Sequence, residues 1–201
     1  MVDPHHIWNT FSAFAHELEA ITDNRDGREW DTFTQTCEVQ SAKKRAVLFP
    51  QTEICNRVIY LMEGIVASEY RYEDKHVITR FFQKGNFSTN IVSAATGALA
   101  EDNLIAITDV VFISIPFEQF IDWYLHSAYM GLFIRKKIIQ NSLENKHFTT
   151  IKTISSTEKR YHFLENHYPE VIRHTPSKHI ASFLGISPEA LSRFLRKRYK
   201  S

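Results

Sequence analysis

The spacing of apolar residues changes twice along the chain, and the changes divide it into three stretches. Near the N-terminus Ile7, Phe11, Phe14 and Leu18 recur every three or four residues, which predicts an amphipathic helix over 7–20. A second short helix is expected over 28–36, around Trp30 and Phe33. From Val47 the period shortens. Val58-Ile59-Tyr60-Leu61-Met62 runs into Glu63-Gly64, and then Ile65, Ala67 and Glu69 alternate with Val66, Ser68 and Tyr70. The polar turn Tyr72-Glu73-Asp74-Lys75 precedes the run from His76 to Phe82, and two more apolar runs, 104–108 and 110–115, flank Asp109. Short strands at this spacing predict a small antiparallel barrel or jelly roll.

From Pro116 the helical period returns. Phe117, Phe120, Ile121 and Tyr124 predict one short helix, and Met130, Phe133, Ile134, Ile138 and Leu143 predict a longer one over 127–150. The face of that helix with Met130, Phe133, Ile134 and Ile138 is apolar enough to pack on both the barrel and a second copy of the chain, as a dimer helix, or it merely covers its own barrel. Ser155-Ser156-Thr157-Glu158 has the form of a capping box opening a further helix that Pro169 closes. The fold class expected is α+β. An N-terminal antiparallel jelly-roll barrel with flanking helices would occupy 1–125, a long connecting helix 126–150, and an all-α helix-turn-helix domain 151–201.

Residues 177–197, SKHIASFLGISPEALSRFLRK, carry the most specific pattern. Ile180, Ala181 and Leu184 give the first helix its inner face, with a small residue where a second helix must pass close. Gly185 supplies the left-handed conformation that ends a helix sharply. Ser187 is a good N-cap and Pro188 a natural first helical residue. Ala190, Leu191, Phe194 and Leu195 fall on one face of the second helix. Glu189, Ser192, Arg193, Arg196 and Lys197 are left to face outward. Short polar groups and a glutamate suit base edges, and arginines suit guanine or phosphate. The candidate DNA-binding residues are Lys178, Ser187, Pro188, Glu189, Ser192, Arg193, Arg196 and Lys197.

Charge sharpens this picture. Lys178, Arg193, Arg196, Lys197, Arg198 and Lys200 oppose one acid, Glu189, within 177–201, while the whole chain carries only +1. A basic end on an acidic body is what phosphate binding and counterion release call for. The composition, 43% hydrophobic with 15 Phe and 8 Tyr, is that of a folded protein. No apolar run approaches the ~20 residues of a membrane helix. The N-terminus lacks the basic and apolar regions of a secretory signal. Two cysteines, Cys37 and Cys55, fit buried thiols in a reducing cytoplasm.

Taken together, these segments resemble the Crp/Fnr family of bacterial transcription regulators. Leu48-Phe49-Pro50, Glu53-Ile54-Cys55, Tyr60-Leu61, Glu63-Gly64, Phe81-Phe82 and Gly85-Asn86-Phe87 resemble the family's sensor barrel, and Ile180 to Arg193 its DNA-binding signature. The resemblance implies a homodimer joined along the long helix and bound to a palindromic operator in double-stranded DNA, with RNA polymerase as a further partner. It places Glu189 and Arg193 on base-reading positions. Pro188 stands where several members have arginine, which implies a different operator preference.

The sensor departs from the family pattern. Members that bind cyclic nucleotides hold the phosphate with an arginine in the cassette beginning at Gly85, beside a glutamate that meets the ribose. Here no arginine lies between Arg80 and Arg135, Lys84 is the only lysine there, and Asn86 carries no charge. A desolvated phosphate without a cation is costly, so tight binding of cyclic AMP or cyclic GMP is not expected. The candidate effector pocket is the cassette itself, with Gly85, Asn86, Phe87, Ser88, Ser93 and Thr96, for a small molecule the sequence does not identify.

No cofactor and no metal site are expected. An iron–sulfur sensor needs about four cysteines. His76 is the only histidine between His16 and His126, too few for cupin-type metal chemistry, and the later histidines lack zinc-site spacing. Haem stays open because cysteine and other side chains also ligate iron, although a lone histidine is more often structural than a ligand. With no catalytic motif in the chain, an enzyme is not expected. The alternative to a regulator is a protein-interaction adaptor whose helix-turn-helix no longer reads DNA.

Overall fold

The apolar runs form strands buried on both faces. In the computed structural model, which describes residues 4–22, 27–73 and 75–198, the chain begins with helices α1 (Pro4–Thr22) and α2 (Gly27–Thr36). Asp74 of the expected turn and Lys200 of the basic end lie outside the described residues. The strands follow as β1 (Glu38–Ala42), β2 (Val47–Phe49), β3 (Arg57–Glu63), β4 (Val66–Tyr72), β5 (Lys75–Phe82) and β6 (Phe87–Ser88), then, after the short helix α3 (Ile91–Thr96), β7 (Asn103–Ala106) and β8 (Val110–Pro116). Two antiparallel four-stranded sheets result, in the orders β1-β8-β3-β6 and β2-β7-β4-β5. The α+β class, with a barrel-like domain followed by a helical one, agrees with the expectation from sequence.

Alternation within β3 shows how the core is layered. Ile59 and Leu61 join Val66, Phe82, Leu104, Ala106, Val110 and Phe112 between the two sheets. Val58, Tyr60 and Met62 point the other way and pack with Phe14, Phe33, Trp123 and Phe133 from the helices. In the second sheet Ile65, Ala67, Ile78, Phe81, Ile105 and Ile107 also face outward, into a cluster completed by the C-terminal helices. Covered on both sides, the strands read as continuous apolar runs, not as hydrophobic–polar alternation.

Helix α4 (Phe117–His126) leads into α5 (Tyr129–Thr153), which is displaced by two or three residues from the expected 127–150. Helix α5 links the two outer clusters. Met130, Phe133 and Ile134 of its first half belong to the cluster over the first sheet, and Phe148 and Ile151 of its last turns to the cluster over the second. Ser156 caps α6 (Thr157–His167), accepting a hydrogen bond from the Lys159 amide. Pro169 does more than close α6, because it stands at the first turn of an extra helix, α7 (Pro169–His174). Helices α8 (Ser177–Leu184) and α9 (Pro188–Arg198) complete the described chain, in which no helix is long and apolar enough to cross a membrane.

Candidate functional site

The α8–α9 pair is built by local chemistry. Gly185 takes φ 67°, and the Ile186 amide donates to the Ala181 carbonyl at 3.0 Å, which closes α8. The Arg160 guanidinium of α6 donates to the last carbonyl, that of Leu184, at 2.5 Å. The Ser187 hydroxyl accepts the Ala190 amide at 3.1 Å and so opens α9. Leu191, Ala181 and Leu184 are buried between the helices. Arg198 is drawn to the back of α9 by Glu165 at 2.9 Å, and that contact, with a smaller pull from His162, holds the Glu165 carboxyl below its usual range.

This packing leaves one face of α9 to solvent. Pro188, Glu189, Ser192, Arg193, Arg196 and Lys197 are exposed, as are Ser187 and Lys178. Among the described residues neither Arg193 nor Arg196 forms an ion pair. The Glu189 carboxylate accepts from its own amide and from the Ser187 hydroxyl, which keeps it ionised well below neutral pH, with a smaller contribution from Arg193. The exposed helix thus presents guanidinium groups beside one fixed carboxylate. Ser187 is already engaged as the cap, so its hydroxyl serves the helix start before any ligand.

Helix α8 is also docked on the barrel. Ser182 Oγ accepts the Ile78 amide at 3.0 Å and donates to the His76 carbonyl at 2.8 Å, joining α8 to β5. Phe183 lies against Phe81 and Phe148 with ring centroids 5.2 and 5.6 Å apart, and Phe148 stacks on Tyr168 at 4.5 Å. The helix-turn-helix and the second sheet therefore share one apolar core. Nothing in the local pattern around Ser182 signalled this contact.

The expected effector residues fall in different surroundings. Gly85, at φ 86°, passes close beneath α5, and a Cβ there would sit 3.3 Å from Lys137 Nζ. Lys137 is buried beside Glu17 at 3.5 Å, and Glu17 also accepts from Tyr60 at 2.6 Å. Asn86 is buried, donating to Glu144 at 2.9 Å and Asn141 at 3.2 Å. Asn141 donates in turn to the Phe87 carbonyl at 2.6 Å. Phe87 is part of the core and Ser88 is buried. Ser93 is fully enclosed, bonding the Cys55 amide and the Ala98 carbonyl, whereas Thr96 is exposed. The first half of the cassette thus fastens the barrel to α5.

A cavity of about 450 Å³ opens instead beside it, lined by β4, β5, residues 89–92, residues 101–102 and the end of α5. Ser68 and Arg80 are cross-strand partners that continue the inward face of Val66 and Phe82. Arg80 donates to the Asn141 carbonyl at 2.9 Å and lies over the Phe82 ring, and its burial lowers its pKa against the opposing pull of Glu144. Lys152 donates to the Thr79 carbonyl at 3.2 Å, with its pKa likewise lowered by burial. Asp102 accepts from Ser68 and from Asn90 at 2.6 Å. The sequence reading missed these residues because strand register, not local pattern, brings them together. Phe148 lines both this cavity and the docked helix-turn-helix core.

On α5, Met130, Phe133 and Ile134 are 2%, 0% and 2% exposed and lie within their own chain, while Ile138 is partly buried beside them. Within the chain this face covers the barrel. The exposed apolar side chains are Ile139 and Leu143, at 61% and 60%, four residues apart on another face.

No protein-family model matches the chain, and no curated protein matches it in sequence. Solved structures do match in fold. The c-di-GMP responsive global regulator CLP from Xanthomonas campestris superposes with a TM-score of 0.66 at 16% identity, over 87% of this chain and 92% of that one. A CooA mutant from Carboxydothermus hydrogenoformans matches at 0.66 and 15%, over 91% and 84%. A transcriptional regulator assigned to the Crp/Fnr family, from Eubacterium rectale, matches at 0.65 and 15%, over 90% and 87%. The chain shares the fold of these regulators, from barrel to C-terminal helices.

Proposed function

We propose that this chain is a sequence-specific DNA-binding transcription regulator of the Crp/Fnr type, acting in the cytoplasm as a homodimer. One observation carries the reading. A capped helix whose apolar back is buried presents Glu189, Ser192, Arg193 and Arg196 to solvent, in the geometry a major groove accepts. The shared fold with transcription regulators supports it. In the dimer, Ile139 and Leu143 form the seam between two copies of α5, and the paired α9 helices meet successive major grooves of a palindromic operator. RNA polymerase is the natural further partner of such a complex.

The barrel serves as the sensor, and its charges do not suit a cyclic nucleotide. Glu101 and Asp102 line the cavity together with Arg80 and Lys152, so a phosphate there would meet two carboxylates as well as two cations. Because Phe148 belongs to both the cavity wall and the core beneath α8, occupation of the cavity biases the docking of the helix-turn-helix.

Selection of bound duplexes from a random DNA pool tests the assignment. Enrichment of a palindrome with half-sites about one helical turn apart, bound with a steep salt dependence, is the expected result. Absence of any enriched motif with the folded dimer would favour an adaptor that binds protein instead.

A further inference from the structure

The four charged side chains of the β4–β5–α5 cavity come in two pairs of opposite sign. Arg80 and Lys152 bring positive charge from β5 and α5, and Glu101 and Asp102 bring negative charge from the segment before β7. The pairs do not neutralise each other: among the described residues no ion pair joins them. Asp102 is instead held by the Ser68 hydroxyl and the Asn90 amide. Ser68 and Arg80 are directly opposite in the strand register, which puts their Cβ atoms about 5 Å apart. The carboxylate and the guanidinium thus line one cavity without an ion pair between them, and Arg80 Nε is buried with no hydrogen-bond partner. Phe82, Ile91, Val92 and Phe148 supply apolar wall.

We propose that this cavity binds a free α-amino acid with an apolar side chain, its carboxylate on Arg80 and Lys152 and its ammonium on Asp102 and Glu101. A simple anion would meet two carboxylates, and a simple cation would meet a guanidinium. A zwitterion offers each wall its complement, which charge-assisted hydrogen bonds reward. The volume, about 450 Å³, lies at the small end of ligand sites and suits a molecule of this size. The proposal rests on the sensor role given to the barrel above and names the ligand class of that site.

Calorimetric titration of the full chain with each of the twenty amino acids tests it, with N-acetyl-leucine, leucine methyl ester, cyclic AMP, inorganic phosphate and spermidine as further probes. Saturable binding of an amino acid with an apolar side chain is expected. Blocking either end of the ligand, or introducing Arg80→Gln or Asp102→Asn, should weaken binding about tenfold to a hundredfold. The blocked ligands test the unaltered protein, so a variant that folds poorly does not decide the matter. The proposal is overturned if a blocked form binds as tightly as the free one. It is equally overturned if no amino acid binds, whether or not phosphate, cyclic AMP or spermidine does. Operator affinity, measured separately with and without the amino acid, keeps the two ideas apart. Binding that leaves DNA affinity unchanged refutes the sensor role alone, and DNA binding without amino-acid binding refutes the ligand alone.

Discussion

Ser182 caps the edge of the barrel, its hydroxyl accepting the Ile78 amide at 3.0 Å while it donates to a carbonyl two residues earlier on the same strand. Strand β5 is the last strand of its sheet, and an edge strand otherwise presents unpaired backbone groups. Ser182→Ala leaves a buried amide without its partner and should cost about 1–2 kcal/mol, lowering Tm by roughly 2–6 °C. Amide exchange should accelerate at Ile78 and not in β3; unchanged protection at Ile78 would show that the contact contributes nothing.

The same junction responds to acid. His179 on α8 has its pKa lowered first by burial and then by Lys178, with His76 and Lys44 adding to the effect and Glu69 opposing it. A histidine depressed in the folded state favours folding while neutral. Its contribution is complete above the unfolded pKa near 6.5 and is lost as pH falls toward the lower folded value. Stability measured between pH 7.5 and 5 should decline, and His179→Gln should flatten that decline. An equal slope in the variant would assign the loss to other groups.

Arg193 and Arg196 are expected to act differently from one another. Arg193→Ala should cost about 1–3 kcal/mol against the preferred operator and relax selectivity at one base position. Arg196→Ala should weaken all sequences alike and reduce the salt slope by about one if it meets phosphate. Binding isotherms at several salt concentrations on operator and scrambled duplexes separate the two roles. Thermal stability should stay within about 0.5 kcal/mol of the parent, because both side chains are exposed.

For the dimer, Ile139→Glu with Leu143→Glu should yield a folded monomer in analytical ultracentrifugation, whereas Phe133→Ala should lose about 3–5 kcal/mol of folding stability. The contrast follows from placement, since Phe133 is fully buried in its own chain and Leu143 is not. A double variant that still sediments as the parent does would remove α5 from the interface.

Cys37 offers a direct probe of the core. Burial pushes its thiol up to about 12, with Arg57 opposing, so almost no thiolate exists at neutral pH. Iodoacetamide should modify it only as fast as the protein opens. Labelling at the rate of a free thiol would mean that α2 and β1 are not packed as found.

The helix-turn-helix was legible because its constraints lie within a few residues of one another. Gly185 ends one helix, Ser187 and Pro188 begin the next, and the apolar spacing fixes which face turns inward. The barrel was legible from its apolar runs, but β1 was not. In Glu38–Ala42 only Val39 is buried, and its strand identity comes from pairing with β8, as Glu38 opposite Ser114, far along the chain. The β4–β5–α5 cavity was hidden for the same reason. Arg80 marked only the edge of an arginine-free interval until register set it opposite Ser68, whose hydroxyl holds Asp102. Helix α5 was legible only in part. Its apolar residues occupy two faces, and the face with more of them, Met130, Phe133 and Ile134, serves its own chain.

The second sheet turns Ile78, Phe81 and Ile105 outward, toward partners that stand at 148 and beyond. On the ribosome that surface is made first and covered last. Translation of α6 through α9 takes roughly 2–8 s at ordinary elongation rates, and during that interval the nascent barrel carries a bare greasy wall. Messages that stall or break before α6 would release a sticky fragment, which makes the young chain a client for holding chaperones in a way the finished protein is not.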